Sequence, residues 1–155
     1  MRFLMVDRVL ALEPGKRIET LKLPSMGEEY LRGHFTRQAL VPGALLIECM
    51  AQSLGRLITA SWDYKVAIAL TVVEDARIVH DLRPGHPIHV VGELVATQKK
   101  GSIGRAVATA GGREVASVGR MIFGQFPHPD PESVKERFRL LGEVVPGDPL
   151  GPPPA

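Results

Sequence analysis

One cysteine, few aromatic residues and no long apolar run set the first limits on this chain. A lone Cys49 cannot close an internal disulfide, which fits a reducing compartment. It lies inside an apolar segment, where a small inert buried residue is the plain reading; a nucleophilic thiol needs a base in a polar pocket, and no local pattern supplies one. Aromatics make up only 5% of the chain, too few for base-stacking platforms. No sign of charge dominates: the formal net charge is +2 and the pI about 8.9. That is too mild to argue for a nucleic-acid binder, where a clustered basic stripe is expected, while still suiting an acidic partner or an anionic ligand. The longest apolar runs fall well short of the ~18–20 residues a membrane-spanning helix needs. The opening stretch "MRFLMVDRVLALEPGKR" carries Arg2, Asp7 and Arg8 among its apolar residues and lacks the apolar core and small-residue cleavage site of a signal peptide. These exclusions lead to the expectation of a soluble, cytoplasmic protein.

What is present suggests one domain of ordinary size, residues 1–145, followed by a disordered Pro/Gly-rich tail over residues 146–155, "PGDPLGPPPA". Residues 2–13 read as a strand or irregular entry ending at the Pro14-Gly15 turn, and "KRIETLKLP" as a strand. "SMGEEYLRGHFTRQALVPG" is loop-like, with a short helical turn near Glu28 to Leu31. Pro42 and Gly43 open the one strong helix, over residues 42–61, because proline suits a first turn and Ala, Leu, Met, Glu and Gln fill the rest. Gly55 marks a place where something approaches that helix closely. The character then changes to alternating β-branched segments: "KVAIALTVVEDARIVH" with a kink at Glu74-Asp75, "RPGHPIHVVGELVATQ", a turn at "KKGS", "IGRAVATA", a turn at "GG", and "REVASVGRMIFGQF". A terminal helix is expected over 131–141. The architecture is therefore α+β, a curved antiparallel sheet against one long helix.

On a helical wheel, Leu46, Ile47, Met50, Ala51, Leu54, Leu57 and Ile58 share an apolar arc, while Glu48, Cys49, Gln52, Ser53, Arg56 and Thr59 fall on the other side. Glu48, Gln52 and Arg56 stack at i, i+4 and i+8, which a solvated helix face tied together by its own side chains would explain. His34, in a Gly-His-Phe loop, has an equally plain role in closing a turn. His80, His86 and His89 do not form a metal set, because positions 86 and 89 of a strand point to opposite faces and no carboxylate or cysteine stands at a ligand spacing. The glycines at 101, 104, 111 and 112 belong to hairpins, with no helix following them to cradle a phosphate.

Taken together, "RFLMVDRVLALEPGKRI", "YLRGHF" and "VPGALLIECMAQ" resemble the β-hydroxyacyl-acyl carrier protein dehydratases of the FabZ type, which have the hotdog fold. His34 and Glu48 keep the family's separation with Pro42 and Gly43 between them, and "EDARI" and "RPGH" also fall in register; the resemblance spans about residues 2–124. The chain departs from the family pattern at Thr36, Arg37, Gln38 and Ala39, where the family has a Pro-Gly-rich loop, and at Cys49, where it has alanine. These departures point to a specialised relative.

The resemblance implies that His34 is the base and Glu48 the acid in removing water from a 3-hydroxyacyl thioester, giving a trans-2-enoyl product in fatty acid or related acyl-chain biosynthesis. The chemistry asks for a base at C2, a proton for the departing hydroxyl and a donor for the thioester oxygen. An enclosed carboxyl is driven toward its protonated form by desolvation, and the Gly43 amide at a helix start suits the oxygen. Gln52 stands where it can orient Glu48. A homodimer, or three dimers in a ring, with each site sharing its histidine and glutamate between two copies, is also implied, as is an acyl carrier protein whose acidic surface Arg32, Arg37, Arg56 or Lys65 would meet. No cofactor and no metal are expected. Two other readings stay open: a thioesterase on the same fold, and a non-catalytic acyl-carrier-binding dimeric module. A dehydratase that also isomerises the double bond usually carries aspartate at the position of Glu48.

Overall fold

The computed structural model describes residues 3–35 and 37–140. The element order is β1 (Arg8–Glu13), β2 (Arg17–Lys22), a 3-10 turn (Glu29–Arg32), α1 (Gly43–Ser61), β3 (Val66–Ile78), β4 (Ile88–Gln98), β5 (Gly101–Ala110), β6 (Arg113–Pro127) and α2 (Pro131–Leu140). The strands form a six-stranded sheet in the order β1-β2-β4-β5-β6-β3, antiparallel at every neighbouring pair. This is the expected curved sheet against one long helix. The proposed tail over 146–155 lies outside the described residues, as does Leu141 of the expected terminal helix.

Strand alternation builds the core. Ile88, Val90 and Gly92 of β4, and Ser102, Gly104, Ala106 and Ala108 of β5, are buried, and the residues between them are more exposed, the period of two that a pleated strand imposes. Small residues on this inner face let α1 come close. A Cβ at Gly104 would lie 2.8 Å from Leu54 Cδ2, and one at Gly92 would lie 3.0 Å from the same atom. The helix repeats the device toward β3: a Cβ at Gly55 would lie 2.9 Å from Ile68 Cδ1 and one at Gly43 would lie 2.9 Å from Ile78 Cγ1. Gly55 thus marks a close approach, and the approaching group is Ile68. Between β5 and β6 the two-residue loop Gly111-Gly112 has both φ angles positive, at 57° and 75°, the requirement of a type I′ hairpin turn.

Three local readings are corrected. Pro42 is the N-cap, with extended backbone, and the helix begins at Gly43. The turn at "KKGS" is only Lys99-Lys100; Gly101 and Ser102 are already in β5, and buried Ser102 donates to Gln125 Oε1 at 2.6 Å. The predicted wet side of α1 is largely buried: Cys49, Ser53 and Thr59 are enclosed, while Glu48, Gln52 and Arg56 are half-buried. Burial of the polar members is tolerable because their hydrogen bonds are made. The Ser53 hydroxyl pairs with Thr20 Oγ1 at 2.7 Å and donates to the Cys49 carbonyl at 2.7 Å. The expected kink in β3 falls at Asp75, where φ is +54°, and the strand continues through it. No helix among the described residues is long and apolar enough to cross a membrane.

Candidate active site

Glu48 sits in the second turn of α1. Its Oε1 accepts a hydrogen bond from Gln52 Nε2 at 2.8 Å, the i,i+4 geometry of neighbouring helical turns. Gln52 is itself held by the N-terminal segment: its Oε1 accepts from the Met5 amide at 2.9 Å and its Nε2 also donates to the Phe3 carbonyl at 3.0 Å. One amide side chain therefore uses both its ends to fix the carboxyl. Arg56 follows one turn on, and its Nη1 donates to the Gln52 backbone carbonyl at 3.1 Å.

His34 lies just after the 3-10 turn, half-buried, and its peptide bond to Phe35 is cis. Its Nδ1 is 3.2 Å from the Leu40 carbonyl oxygen. A carbonyl can only accept, so Nδ1 carries a proton, and in the neutral imidazole Nε2 presents the lone pair. The loop is closed on itself by Phe35 N to Gln38 O at 2.8 Å, Gln38 N to Phe35 O at 3.0 Å and Leu40 N to His34 O at 3.0 Å. The imidazole stacks on the Phe35 ring at 4.2 Å. Gly43, the first residue of α1, carries one of the amides that a helix leaves without an internal acceptor. Within one chain His34 bonds to Leu40 and Glu48 bonds to Gln52, and neither bonds to the other.

Cys49 is fully enclosed. Its Sγ donates to the Met5 carbonyl at 2.9 Å, and burial pushes the thiol up to about 12. It is a packing residue that tethers the N-terminal segment. Among the proposed docking cations, Lys65 is engaged with Asp63 at 2.8 Å, Arg32 ends the 3-10 turn, and Arg37 lines a depression with Met26, Gln38, Ala39, Arg83 and Pro84. His80 and His86 line a separate depression beside the Gly111 turn, and His89 is exposed on β4. Among the described residues no group of three or more His, Cys, Asp or Glu is placed to hold a metal ion.

Residue order along the chain gave no signal for several partners here. Phe3 and Met5 reach Gln52 across more than forty positions. Lys22, nearly buried, pairs with Asp7 at 3.0 Å and Glu28 at 3.5 Å, pinning the segment that leads into the His34 loop. The Tyr30 hydroxyl is buried without a hydrogen-bond partner, and burial pushes it up to about 12.

The FabA-like domain family matches residues 1–118. The 3-hydroxyacyl-[acyl-carrier-protein] dehydratase FabZ of Clostridium novyi is 37% identical over 114 residues, which is 72% of this chain and 80% of that protein. Among solved structures, the dehydratase heterocomplex ApeI:P from Xenorhabdus doucetiae superposes with a TM-score of 0.63 at 14% identity, covering 86% of this chain and 89% of that one. The fluoroacetyl-CoA thioesterase FlK does so with a TM-score of 0.63 at 14% identity, covering 84% and 97%; identities this low speak to the shared fold. The chain belongs to the hotdog-fold FabA/FabZ-like dehydratase family.

Proposed function

We propose that this protein is a 3-hydroxyacyl-[acyl carrier protein] dehydratase, a hydro-lyase that forms trans-2-enoyl thioesters. The observation that carries the reading is the Glu48–Gln52 pair, anchored by Phe3 and Met5 one turn beyond the amide-bearing start of α1. It is joined by an imidazole whose Nε2 is left free by the Leu40 carbonyl. In this reaction His34 Nε2 takes the proton from C2, and the C2–H electron pair becomes the C2–C3 double bond. The C3–O bond breaks as Glu48, in its un-ionised form, delivers a proton to the hydroxyl, which leaves as water. Gln52 occupies Oε1, so the mobile proton belongs on Oε2. The Gly43 amide stabilises charge on the thioester oxygen, a contribution of a few kcal/mol at such preorganised sites. The proton held by His34 then returns to Glu48 through solvent, and the cycle is reversible.

The reading needs a second copy, because each site takes His34 from one chain and Glu48 from the other. Strand β3 supports this. It is a sheet edge thirteen residues long, and Leu70, Val72, Val73 and Ile78 are each more than one-third exposed. A long apolar edge is a template for pairing with another strand. The substrate class, an acyl chain on an acyl carrier protein, comes from the likeness to the FabZ relatives, and a place in cytoplasmic fatty acid or related acyl-chain biosynthesis follows from it.

The test is to mix the purified protein with a 2-enoyl-acyl carrier substrate and follow the conjugated enoyl absorbance, which falls as water adds. The thioesterase reading, kept because FlK shares the fold, predicts release of free thiol instead. Neither signal at any chain length would leave the non-catalytic carrier-binding module.

A further inference from the structure

We infer that α2 closes the far end of a groove along the second half of α1 and so limits the length of the acyl tail this protein accepts. The inference rests on the dehydratase reading and adds to it a specificity element. The groove has a volume of 310 Å³ and is lined by Gln52, Gly55 and Thr59 of α1, Ile68 of β3, Phe138 of α2, and Phe3. It begins at Gln52, whose Nε2 bonds the Glu48 carboxyl. If Glu48 protonates the hydroxyl on C3, the chain from C4 onward leaves the reacting centre at this point. From Gln52 to Thr59 the helix advances about 10 Å, and midway, at Gly55, Ile68 of β3 closes directly against the helix and forms the wall. Phe3, Leu4, Ile68 and Phe138 give the groove apolar walls, as an alkyl tail requires.

The far end is built by an element that the family match does not include. That match stops at residue 118, whereas α2 spans Pro131–Leu140. The helix is seated firmly on the end of α1: Val134 is buried with Ala60 and Tyr64, and Phe138 meets the Tyr64 ring edge-on at 5.1 Å. Lys135 Nζ lies 5.9 Å from the centre of the same ring and 3.7 Å from Asp63 Oδ1. Phe138 then faces the groove, and the rim beside it carries Arg56 and Arg137. An alkyl tail pushing past this point would displace Phe138 or strip water from the exposed Arg137 guanidinium, and both are costly. Short and medium chains fit; long ones stop at α2.

The experiment measures kcat/KM for short, medium and long 3-hydroxyacyl-carrier substrates in the full-length dimer. Phe138→Ala shortens the stop, and Arg137→Leu replaces an exposed charge on the rim with an apolar side chain. Each is expected to raise the long-to-short ratio of kcat/KM by about tenfold, because one methylene without room is worth 10–200-fold in a hydrophobic pocket. Because Phe138→Ala also loses the contact with Tyr64, its thermal unfolding is recorded; if it does not fold, Arg137→Leu decides. Folded variants that keep the wild-type ratio would overturn the groove assignment while the dehydratase reading stands. A wild-type protein that acts on no chain length would remove the reading on which the groove rests.

Discussion

Gln52 donates to Glu48 at 2.8 Å while its own carbonyl end accepts from the Met5 amide at 2.9 Å, so the N-terminal segment sets the orientation of a carboxyl on the central helix. Replacing Gln52 by leucine removes these two bonds, and the one to the Phe3 carbonyl, at nearly constant volume. We expect kcat to fall at least tenfold with little change in KM, and stability to fall by about 1–3 kcal/mol from the unpaired Met5 amide. Steady-state kinetics alongside urea unfolding separates the two effects; an unchanged kcat would reduce Gln52 to a structural tether.

His34→Ala and Glu48→Gln should each slow enoyl hydration by a factor of about 10²–10⁴, the usual worth of a positioned acid or base. Both side chains are half-buried and neither fills the core, so far-UV circular dichroism should match the parent. Near-normal turnover in either variant would reassign the roles.

The approach of α1 to the sheet should be intolerant of added volume. In Gly104→Ala the new Cβ would lie 2.8 Å from Leu54 Cδ2 and 3.1 Å from the Glu93 carbonyl oxygen. Since a backbone atom cannot swing away, we expect a loss of about 1–3 kcal/mol, read as a lower urea midpoint. In Gly43→Ala the atoms nearest the new Cβ all belong to the side chain of Ile78, which is 46% exposed and can turn away. The variant should unfold at nearly the parent midpoint while slowing catalysis, by crowding the amide that the thioester oxygen approaches.

Cys49 predicts an alkaline signature. Burial raises the folded thiol from 9.0 to about 12, so the folded state holds a proton that the unfolded state has already released. The stability tied to this proton is complete below about pH 9 and is lost as pH rises toward 12. Tyr30, raised from 10.0 to about 12 by burial, acts in the same direction from about pH 10 upward. Cys49→Ala should therefore flatten the decline of unfolding free energy between pH 9 and 10. Iodoacetamide should label the parent only as fast as it opens; rapid labelling of the native protein would contradict the buried site.

The dimer proposed along β3 gives a further outcome. Val72→Asp places a charge on an apolar sheet edge where Val72 is 38% exposed. We expect sedimentation to show a shift from dimer toward monomer, with activity falling in proportion to the dimer remaining. A fully active monomer would disprove shared sites.

Much of the fold was legible in residue order because its signals are local. Alternation marked β3 to β6, the Gly-Gly pair set its hairpin, and the run after Pro42 named the helix. The wheel failed on one side of α1. It sorts residues by polarity alone, whereas Ser53 and Cys49 are buried because Thr20 and the Met5 carbonyl happen to meet them. No pattern within α1 contains those partners.

The site divides in the same way. The sequence by itself determined which groups are offered: one imidazole in a Gly-His-Phe loop, one carboxyl a turn into a helix, and a glycine amide between them, because covalent order fixes their separation and helix periodicity puts Gln52 beside Glu48. Only the tertiary structure decided how those groups are held. Phe3 and Met5 grip Gln52, the Leu40 carbonyl selects the His34 tautomer, and α2 returns to the end of α1. These contacts join segments far apart in the chain, and such contacts form only when burial of a common core brings the segments together.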